Sequence, residues 1–275
     1  MRAAARRAAA ARAAPAVPPH GQAANRAAAH PGSGGGFPAG PIGAGPRPAA
    51  TPGRGPVWFF DLDNTLHDAA HAIFAAIDGK MTAYVERHLG VDRAEADRIR
   101  RHYWLRYGAT MLGLVRHHGI DPHHFLHETH DFAVVELLRA ERGLARLFAR
   151  LPGRKVLLTN SPARYASQVV RALALHRHLG AHYTIESMRL HGSFRPKPSR
   201  SMLRHLLARE RVPAGRAVLI EDSAANLRAA RAVGMRTVLV TGHGRGRRPR
   251  FRPGYVGLRL HSVRELPRAR ARLRR

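Results

Sequence analysis

The sequence contains no cysteine. That excludes disulfides, thiolate-bound metals and cysteine nucleophiles, and fits a reducing compartment such as the cytoplasm. No apolar run approaches the roughly eighteen residues a bilayer-spanning helix needs, so no membrane segment is expected. Acidic residues are scarce: 18 Asp and Glu stand against 47 Lys and Arg, for a formal net charge of +29. A chain so basic should make non-specific contacts with polyanions at low salt. The scarcity is uneven, because residues 1–56 hold no acid at all and Glu265 is the only one after Gly242. Both ends therefore read as basic extensions. Residues 1–55 form an Ala/Pro/Gly/Arg-rich leader with too few large apolar side chains to offset the entropy of ordering it, and are expected to be disordered. Pro15, Pro18 and Pro19 also break the amphipathic helix an organellar presequence would need. Residues 244–275 read as a basic C-terminal segment.

Between these ends, a chain of 275 residues that is 44% hydrophobic has enough apolar material for a sizeable core. Residues 57–66 read V-W-F-F-D-L-D-N-T-L. The near-continuous apolar stretch predicts a strand buried on both faces of a parallel sheet. It ends in Asp61 and Asp63, two apart, which an extended backbone points to one side, and a cation is expected between them. Helical signals follow. Ile73, Ile77, Met81, Val85 and Leu89 recur every four residues before Gly90, and further helix is predicted over 93–116 and 132–150. So much helix between two strands exceeds a simple crossover and predicts an inserted helical cap, residues 69–150.

Strand signals resume at Val156, Leu157 and Leu158, ending in Thr159-Asn160-Ser161 with Pro162 at a helix start. A helix over 162–176, a weak strand near 183–186 and a helix over 201–211 come next. Residues 217–220 then make a strand ending in Glu221-Asp222-Ser223, with Ser223 placed to cap a helix over 224–233 that Gly234 closes. A last strand is predicted at 238–240. This alternation predicts an α/β fold, a doubly wound parallel sheet with a Rossmann-like core made of residues 56–68 and 151–243.

Strand ends in such a sheet meet in one crevice. Asp61, Asp63, Asp222 and Glu221 would bring hard oxygen ligands suited to Mg²⁺, Thr159 and Asn160 hydrogen-bond donors, and Lys197, between Pro196 and Pro198, a point positive charge. Together these describe a phosphoryl-transfer site.

The order of motifs, D-x-D-x-T at 61–65, Thr159-Asn160, the isolated Lys197 and Glu221-Asp222-Ser223, resembles the haloacid dehalogenase-like hydrolase superfamily over about 57–242. The resemblance implies that Asp61 is a nucleophile taking up the phosphoryl group. It implies that Asp63 protonates the leaving oxygen, then activates water, and lends its backbone carbonyl to Mg²⁺. Thr159 and Asn160 would hold phosphoryl oxygens and Lys197 would offset charge. Asp222 would ligate the metal directly, as would Asp61, and Glu221 either directly or through water. Asp63 also speaks against dehalogenation, since a departing halide needs no proton. The run D-L-D-N-T-L-H at 61–67 and the cap segment Arg101-His102-Tyr103-Trp104-Leu105-Arg106-Tyr107-Gly108 resemble bacterial pyrimidine 5′-nucleotidases, implying a nucleoside monophosphate as substrate. Tyr103, Trp104 and Tyr107 either stack on a base or pack the cap, and Arg106 suits phosphate or carbonyl oxygens. A sugar-phosphate or phosphoglycolate phosphatase or mutase is the alternative within the superfamily, and a basic nucleic-acid-binding protein the alternative outside it. His123 and His127 stand four apart as metal ligands do, but without a neighbouring acidic cluster a solvent- or substrate-facing surface is the simpler reading.

Overall fold

The computed structural model describes residues 55–243 and 253–274. The leader expected to be disordered lies, apart from Gly55, outside the described residues. In chain order the elements are β1 (Val57–Phe60), α1 (Ile73–Leu89), α2 (Arg93–Tyr107), α3 (Thr110–His118), α4 (Pro122–His130), α5 (Leu144–Arg150), β2 (Arg154–Leu158), α6 (Ala163–Ala172), β3 (Ala181–Tyr183), β4 (Arg189–Leu190), β5 (Ser193–Phe194), α7 (Arg200–Arg209), β6 (Ala217–Glu221), α8 (Ala224–Ala232), β7 (Arg236–Val240), β8 (Leu258–Leu260) and α9 (Leu266–Ala269).

Six strands form one sheet in the order β3-β2-β1-β6-β7-β8, and every pairing is parallel. β1 lies between β2 and β6, with Phe60 in register with both Leu157 and Ile220. Its unbroken apolar run follows from burial on both sides. Val57 and Phe59 belong to one core cluster and Trp58 and Phe60 to the other, as the two-residue period of a strand requires. Full burial of each phenylalanine contributes roughly 2 to 3 kcal/mol. The chain winds outward from β1 to β2 and β3, then returns to β6, so the order reverses between β1 and β6. That is the switch point where doubly wound sheets bind ligands.

The sheet follows the predicted strands with two differences: the third strand is Ala181–Tyr183, ahead of the predicted 183–186, where Ile185–Ser187 turns as a 3-10 helix, and β8 pairs with β7 beyond the last strand the sequence signals, because three residues are too few to show a period. Helix α1 has the predicted span and ends at Gly90 with φ 64°. The segment 93–116 is two helices instead of one. Gly108, at φ 83°, closes α2 with its N–H on Trp104 O, and Ala109 is extended before α3 begins. Segment 132–150 is helical only as a short 3-10 turn at Val134–Leu137 and as α5, which starts after Gly143 at φ 84°. Helix α4 is foreshadowed only by the four-residue spacing of His123 and His127 on a possible helix, although Asp121 caps it by accepting from His124 N–H and Pro122 occupies its first turn. Histidines outnumber apolar residues there and hide the spacing. Helices α1 to α4 share a core of their own that includes Tyr84, Val85, Met111, Leu114 and Phe125, joined by Ile185 from the segment after β3. Among the described residues, no helix is long and apolar enough to cross a membrane.

Candidate active site

The β1–β6 ladder runs one residue past the end of β1, since Asp61 N–H donates to Ile220 O at 3.0 Å. This fixes Asp61 beside the last residue of β6, Glu221. Lys197 joins the two, its Nζ donating to Asp61 Oδ1 at 2.6 Å and to Glu221 Oε2 at 2.8 Å. All three are buried. Thr65 Oγ1 donates to the second Asp61 oxygen at 3.0 Å, and Ser223 N–H donates to Glu221 Oε1 at 3.1 Å. Asp222 completes the cluster: one carboxylate oxygen each from Asp61, Glu221 and Asp222 lie within 4.8 Å of one another.

The lysine is held in turn by Asn160. Lys197 N–H donates to Asn160 Oδ1 at 2.9 Å, and Asn160 Nδ2 donates to Lys197 O at 3.0 Å. Asn160, which the sequence suggested would face phosphoryl oxygens, thus has both amide atoms on the backbone of the lysine loop. Thr159 is buried at the end of β2, its hydroxyl accepting from Ser161 N–H at 3.1 Å. Ser223 stands at the start of α8 as predicted, but its side chain makes no capping bond. Pro162 precedes α6 instead of opening it, and both carboxylate oxygens of Glu186 accept from Ala163 N–H.

Charge balance explains the electrostatics. Burial alone would lower the pKa of Lys197, but the charges of Asp61 and Glu221 more than offset it, so the lysine is held above its usual range. One ammonium does not balance three carboxylates. Burial, then the charge of Glu221, push Asp61 up to about 7; burial, then Asp61 and Glu221, push Asp222 up to about 9. The donor set is entirely oxygen and over-negative, which suits a hard divalent cation.

Asp63 has different surroundings. The ammonium of Lys197 lies between Asp61 and Glu221, and Asp63 has donors of its own. His67 Nε2 is 2.9 Å from Asp63 Oδ1, Tyr165 OH donates to that same oxygen at 2.5 Å, and Ser161 Oγ donates to Oδ2 at 2.5 Å. Burial would raise this carboxyl, but the bond and charge of His67, helped by Ser161 and Tyr165, hold it below the usual carboxylate range. No local pattern marks Tyr165 or Ser161, which reach Asp63 across 102 and 98 residues. His67 had a signal, four residues along the same motif.

The helical insertion meets this site at the turn between α2 and α3. A Cβ on Gly108 would lie 3.7 Å from Pro198 Cδ and 3.9 Å from Lys197 O. Just before that turn, Tyr103 and Tyr107 direct their hydroxyls to α3, at 2.7 Å from His118 Nε2 and 2.6 Å from His117 Nε2. Tyr103 also stacks on His117 and packs against the insertion's core. Trp104 does not pack; it is 59% exposed. The Arg106 guanidinium is exposed and 5.8 Å from the Tyr107 ring centre.

A parallel α/β sheet with a buried lysine-carboxylate cluster at its switch point defines a doubly wound domain with a polar, charge-rich crevice. Residues 57–234 match the haloacid dehalogenase-like hydrolase family, and the chain belongs to it. Phosphate metabolism protein 8 of Saccharomyces cerevisiae is 26% identical over 130 residues, which is 43% of this chain and 40% of that protein, so the chain spans about two fifths of this curated relative. Two solved structures share the fold. CbbY from Rhodobacter sphaeroides in complex with phosphate has a TM-score of 0.54 at 21% identity, covering 76% of this chain and 95% of that one. A 2-haloacid dehalogenase from Pseudomonas syringae has a TM-score of 0.52 at 20% identity, covering 79% and 99%. Fold alone therefore does not choose between carbon-halogen and phosphate-ester chemistry.

Proposed function

We propose that the protein is a Mg²⁺-dependent phosphomonoester hydrolase that works through an aspartyl-phosphate on Asp61 and acts on nucleoside 5′-monophosphates, pyrimidine before purine. Lys197 carries this assignment: a buried ammonium 2.6 Å from the Asp61 carboxylate is what an acidic nucleophile needs beside an anionic phosphoryl group. Asp61, Asp222 and Glu221, with the backbone carbonyl of Asp63, would hold the Mg²⁺. Bound there, the ion supplies positive charge to the phosphoryl oxygens.

An Asp61 oxygen attacks phosphorus while the ester P–O bond breaks, and Asp63, which its lowered pKa leaves ionised before substrate binds, first takes up a proton from solvent or from the incoming phosphomonoester and passes it to the departing oxygen. Water then attacks the phosphorus of the aspartyl-phosphate, passes a proton to Asp63 and frees inorganic phosphate and the Asp61 carboxylate. Thr159 and Asn160 orient the phosphoryl group, Asn160 through the lysine loop it clamps. The second acid is the feature that favours a phosphate ester over a haloacid, whose halide leaves unprotonated. Helices α1 to α4 act as the cap, a reading supported by the approach of Gly108 to Pro198. Arg106 and Tyr107 supply the cap's contact with the nucleotide, Arg106 to its anionic oxygens and the Tyr107 ring to its base, while Tyr103, stacked on His117 and packed into the insertion's core, holds the helices that present them.

The test is a phosphate-release screen over nucleoside and sugar monophosphates with Mg²⁺, using Asp61→Asn as the control. Fastest turnover is expected on a pyrimidine nucleotide, with none in the variant and a loss of several orders of magnitude in Asp63→Asn. Wild-type rates in Asp61→Asn would end the mechanism. A preference for sugar phosphates would keep the mechanism and remove the nucleotide.

A further inference from the structure

A second group of ligands lies in the helical insertion. His88, near the end of α1, and His124 and Glu128, one turn apart on α4, each bring one ligating atom to within 4.8 Å of the others. The sequence spacing of His123 and His127 pointed to a different pair. His123 lies against the Phe194 ring instead, and His127 Nε2 accepts from Arg164.

The partners of these three side chains show more than a surface ion pair. His88 Nδ1 is 3.0 Å from Tyr84 O, and a carbonyl only accepts, so Nδ1 carries the proton and the neutral ring keeps its lone pair on Nε2. His124 Nδ1 is 2.9 Å from Tyr84 OH, a group that can donate or accept, and its Nε2 faces Glu128 Oε1 at 2.9 Å. With the Tyr84 hydroxyl accepting from Nδ1, His124 Nε2 becomes a second lone pair aimed at the carboxylate. One residue thus anchors the far nitrogen of both rings, which is how metal-ligating histidines are fixed in tautomer and orientation. Stacking of His88 on the Tyr84 ring, centres 3.8 Å apart, holds that imidazole further. Arg87 takes the other oxygen, Glu128 Oε2, and leaves Oε1 for a ligand.

We propose that His88, His124 and Glu128 form a Zn²⁺-class transition-metal site, with water in the fourth position, that ties α1 to α4 and is separate from the Asp61 cluster. Two imidazoles and one carboxylate match the borderline-soft preference of Zn²⁺ and disfavour Mg²⁺. In the metal-free protein the single ring proton of His124 sits on Nε2 and is shared with Glu128; on binding it moves to Nδ1, which donates it to the Tyr84 hydroxyl, so that Nε2 meets the metal as a lone pair. Because the ligands come from two helices, the metal should stabilise their packing.

The experiment is a calorimetric titration of the full chain with Zn²⁺ in excess Mg²⁺, repeated with Co²⁺ to read its ligand-field spectrum. One equivalent is expected to bind, with the same affinity in an Asp61→Asn/Asp222→Asn variant, and with a rise in thermal midpoint. His124→Ala and Glu128→Gln should each weaken binding by more than about tenfold, the loss already seen when a mere supporting residue is removed from a metal site. Tyr84→Phe should weaken it less, and His123→Ala and His127→Ala not at all. Undiminished binding in both His124→Ala and Glu128→Gln, or no uptake of Zn²⁺ by micromolar protein, would overturn the site.

Discussion

The carboxylate at position 222 sits with two others, Asp61 and Glu221, around a single ammonium. Its pKa of about 9, against an ordinary 3.8, means that the folded protein binds this proton more firmly than the unfolded chain does. Protons bound in excess by the folded state make stability fall as pH rises, here progressively between about 4 and 9. Asp222 is partly accessible, so screening limits the cost to the order of 2 kcal/mol at about pH 8. Asp222→Asn removes the group that must take up this proton on folding. In chelator at about pH 8 the variant is expected to be more stable than wild type by a similar amount, on the order of 2 kcal/mol, with the gain vanishing toward about pH 4. Mg²⁺ should reverse the order, since it stabilises only the chain that binds it. Urea unfolding at the two pH values, with and without Mg²⁺, checks this. A variant less stable than wild type in chelator at about pH 8 would show that Asp222 is not held against repulsion.

At the scale of elements, α2 and α3 lie close because position 113 has no side chain. A Cβ there would come within 2.1 Å of Tyr103 Cγ. Gly113→Ala must drive out the ring that bonds His118 and stacks on His117. The expected cost is about 2 kcal/mol, after a helix-propensity gain of roughly 1 kcal/mol. In a Tyr103→Ala background the same change should cost nothing or stabilise slightly, a coupling that a double-mutant cycle reads from denaturant midpoints. A neutral alanine beside an intact Tyr103 would show that the interface has slack. These helices were also the least legible part of the sequence. β1, β2, β6 and β7 announce themselves as apolar runs ending in polar residues, and α1 as a four-residue repeat closed by Gly90. Gly108 does not announce a break, because a lone glycine costs a helix only about 1 kcal/mol and polar residues continue on both sides. Within the site, the gathering of Asp61, Lys197, Glu221 and Asp222 follows from strand ends meeting at one edge. The donors that hold Asp63, and the clamp of Asn160 on the lysine loop, depend on side-chain packing between segments far apart, to which no local pattern is tied.

The whole molecule sets a net charge of +29 against a site whose own residues, Asp61, Asp63, Glu221 and Asp222, are acidic. On the proposed function, a field of this sign would draw an anionic phosphomonoester in, while the local charges would repel it until cations intervene. The two effects separate by ionic strength. Screening acts on solvent-exposed charges such as Arg101 and Arg106, as the Debye length falls from about 30 Å at 0.01 M salt to about 8 Å at 0.15 M, and touches the buried cluster much less. kcat/KM for an anionic nucleotide is therefore expected to drop several-fold over that range at constant free Mg²⁺, with kcat unchanged, because the field acts on encounter and not on the bound complex. Heparin should compete at the low-salt end and lose its effect at the high end, as counterion release requires. Steady-state kinetics across the salt series measure both. A flat kcat/KM would mean that the excess of positive charge lies where the substrate's approach does not feel it. A parallel fall in kcat would mean that salt disturbs the Lys197 cluster itself.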